Sequence, residues 1–260
     1  MPTPYLLDLP ADMLASWAVV AAVFAFAGFV KGVIGLGLPT VAMGLLGSFM
    51  PAAQAASLLI VPSLVTNLWQ MLAGGPLAPL VRRLWSLQAG IVVGTLWAPF
   101  SISSLDGRVS GFALGLCLFA YSVAGLAAVR WSVPAVLERW LSPCIGLATG
   151  IVTAATGVFV FPAVPYLESL RLGKNELVQA LGLSFSVSTL ALGAHLLSDG
   201  TATLAAASAG AWLLPLLVAL LGMSVGRKLR AFTSDRIFRR LFFGGLAALG
   251  AHLMVKNFVA

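Results

Sequence analysis

Charged side chains are scarce in this sequence: 8 Asp and Glu and 15 Lys and Arg, 9% of 260 residues, where a soluble domain carries about 25%. A surface facing water on every side could not be covered with so few. A surface facing lipid needs almost none. No carboxylate lies deep in an apolar run to act as acid or base, since Glu168 and Glu176 border a loop. Cysteine is also rare: Cys117 and Cys144 match no metal spacing and carry no information about redox compartment. There is no His/Cys cluster and no Ser-His-Asp order beside a turn motif. The Gly-rich stretch 32–37 lacks the preceding strand and the Gly-Lys-Ser/Thr ending of a phosphate loop. These absences argue against an enzyme, and no cofactor or metal is expected. The net charge of +7 does not indicate nucleic acid, because no basic patch with interleaved aromatics exists. The stretch from Met1 to Asp12 has no Lys or Arg, so it lacks the basic region of a cleavable signal, and the first apolar run is expected to persist in the mature protein.

What the sequence does have is apolar length. Hydrophobic residues make up 60% of the chain, with a mean hydropathy of +1.02. Apolar runs fall at about 15–30, 38–50, 53–73, 84–104, 109–129, 141–154, 157–170, 177–197, 202–226 and 241–258. Backbone amides in lipid must be satisfied within their own segment, so these runs are read as helices. A crossing needs about 20 apolar residues, and the first pair and the sixth–seventh pair are too short for two comfortable spans. Each pair is broken by glycine and proline, at Gly32 to Pro39 and at Thr153 to Pro162. Each is expected to form a helical hairpin, broken or re-entrant, whose tip unwinds within the membrane.

The two breaks mark an internal repeat. Gly28, Gly35 and Pro39 are answered by Gly150, Gly157 and Pro162. Gln54-Ala55 recurs as Gln179-Ala180, Ser63 as Ser188, Gly94 as Gly222, Asp106 as Asp235 and Gly115 as Gly244. The expected fold is an all-α integral membrane protein with two repeats of about five segments each: residues 1–130, a cytoplasmic linker 131–140, and 141–260. With the short pairs entering and leaving on one side, one face collects Arg82, Arg83, Arg130, Arg139, Arg171, Lys174 and the six bases between Arg227 and Arg240. The other face keeps Arg108 and Lys256, and Lys31 is left in the membrane. The positive-inside rule makes the basic face cytoplasmic and puts both termini outside. Five is odd, so the halves must be inverted.

Inverted repeats with broken helices place substrate near the bilayer midplane, where half-helix N-termini can face an anion. Candidate binding residues in the first break are Lys31, Gly32, Gly35, Gly37 and Pro39. Glycine leaves backbone amides free to face a ligand, and Pro39 can open the following half-helix. Close packing is the competing reading for the glycines, since Gly28-x-x-x-Gly32 and Gly146-x-x-x-Gly150 both suit helix–helix contact. A lysine in mid-membrane costs about 2.5–3.5 kcal/mol and needs a partner or a task; the competing reading is a side chain that snorkels to the interface. The second break offers Thr153, Thr156 and Gly157, with backbone bonding as the alternative for both hydroxyls. The third run carries Ser63, Thr66, Asn67 and Gln70 on one helical face, just after Pro62. The eighth answers with Ser184, Ser188 and His195. These polar faces suit either helix packing or substrate, and His195 suits either proton transfer or a structural hydrogen bond.

The run from Gly28 to Pro39, its second copy from Gly150 to Pro162, and the Gln-Ala after each hairpin resemble the sulfite exporter TauE/SafE family of bacterial membrane permeases, over about Ala15 to Val259. The resemblance implies a transporter, often an exporter, for small sulfur-containing anions such as sulfite, sulfoacetate and other organosulfonates, in the bacterial cytoplasmic membrane. The second copy departs from the glycine-rich pattern at Val158 to Phe161. The expected function is secondary transport of such an anion by alternating access, with one half rocking against the other. The alternatives are a passive anion channel and a membrane thiol–disulfide relay through Cys117 and Cys144. The expected partners are a small anionic substrate and the lipid bilayer, with homo-oligomer formation left open.

Overall fold

The computed structural model describes residues 11–127, 132–198, 209–230 and 235–259. Everything regular in them is helical, in ten elements: α1 Ala11–Ile34, α2 Leu38–Leu46, α3 Ala52–Leu72, α4 Leu77–Leu96, α5 Gly107–Ala127, α6 Ala135–Thr156, α7 Ala163–Ser169, α8 Lys174–Ser198, α9 Ala209–Leu229 and α10 Asp235–Val259. Seven of these (α1, α3, α5, α6, α8, α9 and α10) are long and apolar enough to cross a membrane. The chain is thus an all-α membrane protein, as its composition requires. Large apolar side chains such as Trp69, Trp85, Leu221 and Phe258 point outward, while Lys31, Asn67, Thr95, Thr153 and Ser188 are buried. Apolar outside and polar inside is the arrangement lipid imposes.

The two broken hairpins differ from the expected pair of short arms. Their first arms are complete helices, 24 residues in α1 and 22 in α6. Helix α6 already begins at Ala135, behind Pro134 and with Glu138 in its first turn, where Arg83 of α4 binds that carboxylate at 2.8 Å. The second arms are the short ones. Nine residues in α2 and seven in α7 give about 14 and 10 Å at the helical rise, less than half of a roughly 30 Å hydrocarbon core. Between the arms the chain unwinds at Gly35, Gly37 and Gly157, whose φ angles of 88°, 108° and 69° lie in the left-handed region that suits glycine. Pro39 sits in the first turn of α2, where its missing N–H is no loss.

Packing partners come from opposite halves of the sequence. Helix α1 lies along α9, α4 along α6, α5 along α10 and α3 along α8. In the α1–α9 crossing a methyl on Gly28 or Gly32 would strike the carbonyls of Ala219 or Met223. One on Gly222 or Gly226 would strike those of Ala25 or Phe29. The α4–α6 crossing repeats the device with Gly90, Gly94, Gly146 and Gly150. Backbone lies against backbone at both places. The two halves of the sequence are therefore interleaved, with α1, α3, α4 and α5 each packed along a helix of the second half.

Several of the described basic residues bind neighbouring elements at one end of the bundle. There Arg83 joins α4 to Glu138 and to the Leu170 carbonyl, Arg239 reaches the Gly125 carbonyl, and Arg227 stacks on Trp69 at 5.6 Å. At the other end Lys256 donates to the Ser48 carbonyl, and the Ile102 N–H donates to Ala154.

Candidate anion-binding site

Lys31 lies in the last turn of α1 and is 3% exposed, so it does not snorkel to an interface. Its ammonium donates to Thr66 Oγ1 at 3.0 Å and to Asn67 Oδ1, both on α3. Thr66 is oriented for this by its own bonds, donating to the Pro62 carbonyl at 2.8 Å. Asn67 turns its oxygen to the lysine, so its Nδ2 faces elsewhere, and that nitrogen is buried with no hydrogen-bond partner. One turn back along α3 the Ser63 hydroxyl is also buried and unpartnered, as is Thr40 on α2. Among the described residues no carboxylate pairs with Lys31; the ion pair found there is Arg83–Glu138. A buried cation held by two neutral oxygens, with unpaired donors beside it, can neutralise and bind an anion.

The unwound segment adds room and exposed backbone. No atom lies within 4 Å of where a Cβ on Gly35 would project, and Gly35 follows Lys31 by one turn. Helix α2 starts at Gly37 without a side-chain cap, so its first amides remain available. Gly37 itself packs on Val30 and Phe242. Gly32 faces α9, and packing explains its need for glycine.

The other candidates make no hydrogen bond to Lys31 and have surroundings of their own. Thr153 donates to the Thr149 carbonyl and Thr156 to that of Val152, both at 2.7 Å, so these hydroxyls bond their own helix. Thr156 Oγ1 also accepts from the Val158 N–H at 3.1 Å, which steadies the second break. Gly157 packs on the Met43 methyl of α2. Ser188 of α8 is buried, and its hydroxyl has no partner. His195 borders a cavity of about 370 Å³ formed with residues 98–101, 103 and 104, at the end of the bundle opposite the basic cluster.

Two glutamines link α3 to α8 at the basic end. Gln70 Nε2 donates to the Val178 carbonyl at 3.0 Å. Gln179 Nε2 donates back to Met71 and Gly75 at 3.0 and 2.9 Å. Gly182 lets the helices close there, since a Cβ would come within 2.5 Å of the Met71 nitrogen. Sequence reasoning placed Gln70 with substrate and used Gln179 only as a repeat marker. It also passed over Thr66 as a ligand of Lys31, although the residue shares the polar face, and over Gln88, which donates to Ser184 at 2.9 Å.

The family profile described as sulfite exporter TauE/SafE matches residues 20–253. The chain belongs to that family. No curated protein and no solved structure matches it significantly. Membership of the TauE/SafE family, together with seven apolar helices, makes this a multi-pass membrane transporter of the sulfite-exporter type. In this TauE/SafE protein the profile covers both hairpins, the Lys31 cluster and the α3–α8 contact. The relay alternative gains no support from the cysteines, since Cys117 is buried, Cys144 is exposed and both are free thiols.

Proposed function

We propose that the protein is a secondary transporter, working as an exporter, of a small sulfur-containing anion such as sulfite or an organosulfonate, with Lys31 as the anion's anchor. One observation carries this reading: Lys31 is buried among neutral acceptors, with no carboxylate paired to it among the described residues. An ammonium in that setting has lost its water without gaining a countercharge, and a substrate anion supplies one. Asn67, Ser63 and the first amides of α2 complete the shell around it. Gly35, Gly37 and Pro39 shape the break that presents those amides. The residues of the second break, Thr153, Thr156 and Gly157, hold the matching hairpin in position rather than touch the ion at the Lys31 site.

Alternating access follows from the same elements. The helices α1–α5 and α6–α10 form two inverted repeats, α6 beginning at Ala135 within the expected linker 131–140, with the basic end in the cytoplasm of a bacterial cell and both termini outside. The helix pairing supports this, since exchanging α1–α5 with α6–α10 converts the α1–α9 contact into α6–α4 and returns α3–α8 and α5–α10 to themselves. The glycine-packed pairs α1–α9 and α4–α6 serve as the frame. Helices α3 and α8, joined by side chains, are the parts that move. Gln70 and Gln179 clamp their cytoplasmic ends, while Gln54, the repeat partner of Gln179, is exposed at the other. His195, the partner of Gln70, lines the cavity there. The conformation is thus closed inside.

The test is transport by proteoliposomes screened over sulfite, thiosulfate, sulfoacetate, taurine and simple carboxylates. Movement of a sulfur oxoanion against its own gradient, driven by a proton or second anion gradient, is expected. Movement only down its gradient would make the protein a channel, and preference for carboxylates would overturn the substrate assignment.

A further inference from the structure

A second cavity, of about 470 Å³, lies at the end of the bundle opposite the basic cluster, between the α2–α3 connection, the start of α5 and the end of α10. We infer that it seats the headgroup of an anionic phospholipid, whose phosphate meets Lys256. The volume falls within the roughly 300–1,000 Å³ of small-molecule sites, and the walls are divided as an amphiphile requires. Met50, Ile102 and Leu114 supply apolar surface, while Ser110, Lys256 and Asn257 supply polar atoms. Phe49 on the rim is 66% exposed. Val109, Val255 and Phe258, each next in sequence to a lining residue, are exposed as well. These side chains belong to the lipid-facing surface, so acyl chains can leave the cavity along it while the head stays inside.

Charge decides the kind of lipid. Among the described residues Arg108 and Lys256 are the bases at this end, and both sit at the cavity. Lys256 lines it, and Arg108 is exposed in the first turn of α5, between the lining residues Gly107 and Ser110. The Lys256 ammonium donates to the Ser48 carbonyl at 3.0 Å, a neutral acceptor, which leaves two of its three N–H groups for a phosphate. Asp106 turns its carboxylate to the backbone, accepting from the Arg108 N–H at 2.9 Å, and does not line the cavity. An ammonium at headgroup depth attracts anionic lipid, whereas a zwitterionic head brings a cation of its own to compete. The same lysine ties the end of α10 to the turn after α2, so a lipid seated there steadies the short arm of the first hairpin.

The experiment uses the purified full chain in detergent, with phosphatidylglycerol, phosphatidylcholine of the same acyl chains and free glycerol phosphate as probes. Native mass spectrometry should show phosphatidylglycerol retained at least about tenfold better than phosphatidylcholine, and glycerol phosphate not retained. A photoreactive phosphatidylglycerol should label residues 47–53 and 102–114. Lys256→Gln should lower that labelling about fivefold, the effect of one base near an anionic surface, and Lys256→Arg should keep it. Ala53→Phe, which fills the cavity without removing a charge, should lower it to a similar extent. Equal retention of the two lipids would overturn the choice of an anionic head. Labelling that survives both Lys256→Gln and Ala53→Phe, or that falls only on the basic end, would overturn the site. Glycerol phosphate retained as tightly as the lipid would make the cavity a seat for a free anion and overturn the lipid assignment.

Discussion

Replacing Lys31 with glutamine separates an anion anchor from a structural pin, because the two roles predict opposite changes in two measurements. Glutamine is one bond shorter than lysine but keeps an amide N–H donor facing Thr66 Oγ1 and Asn67 Oδ1, the two acceptors of the lysine. What disappears is the charge. A hydrogen bond to a charged group contributes about 1.5–3 kcal/mol, so anion affinity should fall by roughly ten- to 150-fold. Stability without ligand should move the other way or not at all. Lys31 has no carboxylate partner to strand, and removing an uncompensated buried charge relieves a desolvation cost. Arginine at the same position should restore affinity only in part, since its planar fork does not match a seat shaped by two oxygens around one nitrogen. The assay is substrate affinity and thermal unfolding of the three purified proteins in the same lipid. Affinity of the glutamine variant within about twofold of wild type would refute the anchor role. A clear loss of stability without ligand would show instead that Lys31 holds α1 to α3.

Other perturbations address the frame, the breaks, the clamp and the sidedness. Gly28→Leu or Gly150→Leu should abolish folding, read as loss of the monodisperse protein in size-exclusion chromatography, because each methyl meets backbone rather than a movable side chain. Gly35→Leu should leave insertion intact but stop transport, since the space beside it is open and its φ of 88° disfavours any other residue; normal transport would show that the break is not part of the site. Gln70→Leu with Gln179→Leu removes three hydrogen bonds from the α3–α8 clamp and should raise labelling of a cysteine at Asn67 from the cytoplasmic side; unchanged labelling would mean that the glutamines close nothing. In a background without Cys117 and Cys144, cysteines at Asp106 and Arg230 should label from opposite faces of the membrane, and labelling from one face would refute the inverted repeat.

Much of this architecture was legible in the sequence because lipid makes a few residues conspicuous. The ten apolar runs correspond in order to the ten helices, and both breaks fall where Gly35, Gly37 and Gly157 unwind the chain. Lys31 stood out because a base sixteen residues into an apolar run has few inexpensive explanations. The unequal hairpin arms were less visible. The first turns of α6 carry Glu138 and Arg139, which read as a linker until Arg83 is seen to bind Glu138. Helix pairing was not legible at all. Small-residue spacing shows that Gly28 and Gly146 want a close neighbour, but periodicity does not say that the neighbours are Ala219 and Leu87. Thr66 was passed over for a similar reason: a hydroxyl that bonds its own backbone still has a lone pair to offer, and only the position of Lys31 reveals the direction.

The repeat itself explains why some sequence pairs behave differently in the structure. Gln54-Ala55 and Gln179-Ala180 match in sequence, yet Gln179 binds two carbonyls while Gln54 is exposed. Gln70 binds α8, and its counterpart His195 borders a cavity. A protein of two inverted halves cannot satisfy both sets of bonds while one end is closed and the other open. Exact symmetry would leave either both ends sealed or neither. On the proposed alternating-access reading, the inequality between repeat-related residues marks one state, and exchanging their environments is the motion that would carry a site from one side to the other. The frame must not take part in that exchange. Glycine at Gly28, Gly222, Gly94 and Gly150 lets backbone pack directly on backbone, whereas Gln70, Gln88 and Gln179 hold α8 through side-chain hydrogen bonds that can be exchanged for others. In the proposed mechanism packing and chemistry thus divide between two residue types: glycines fix what stays, and amides release what moves.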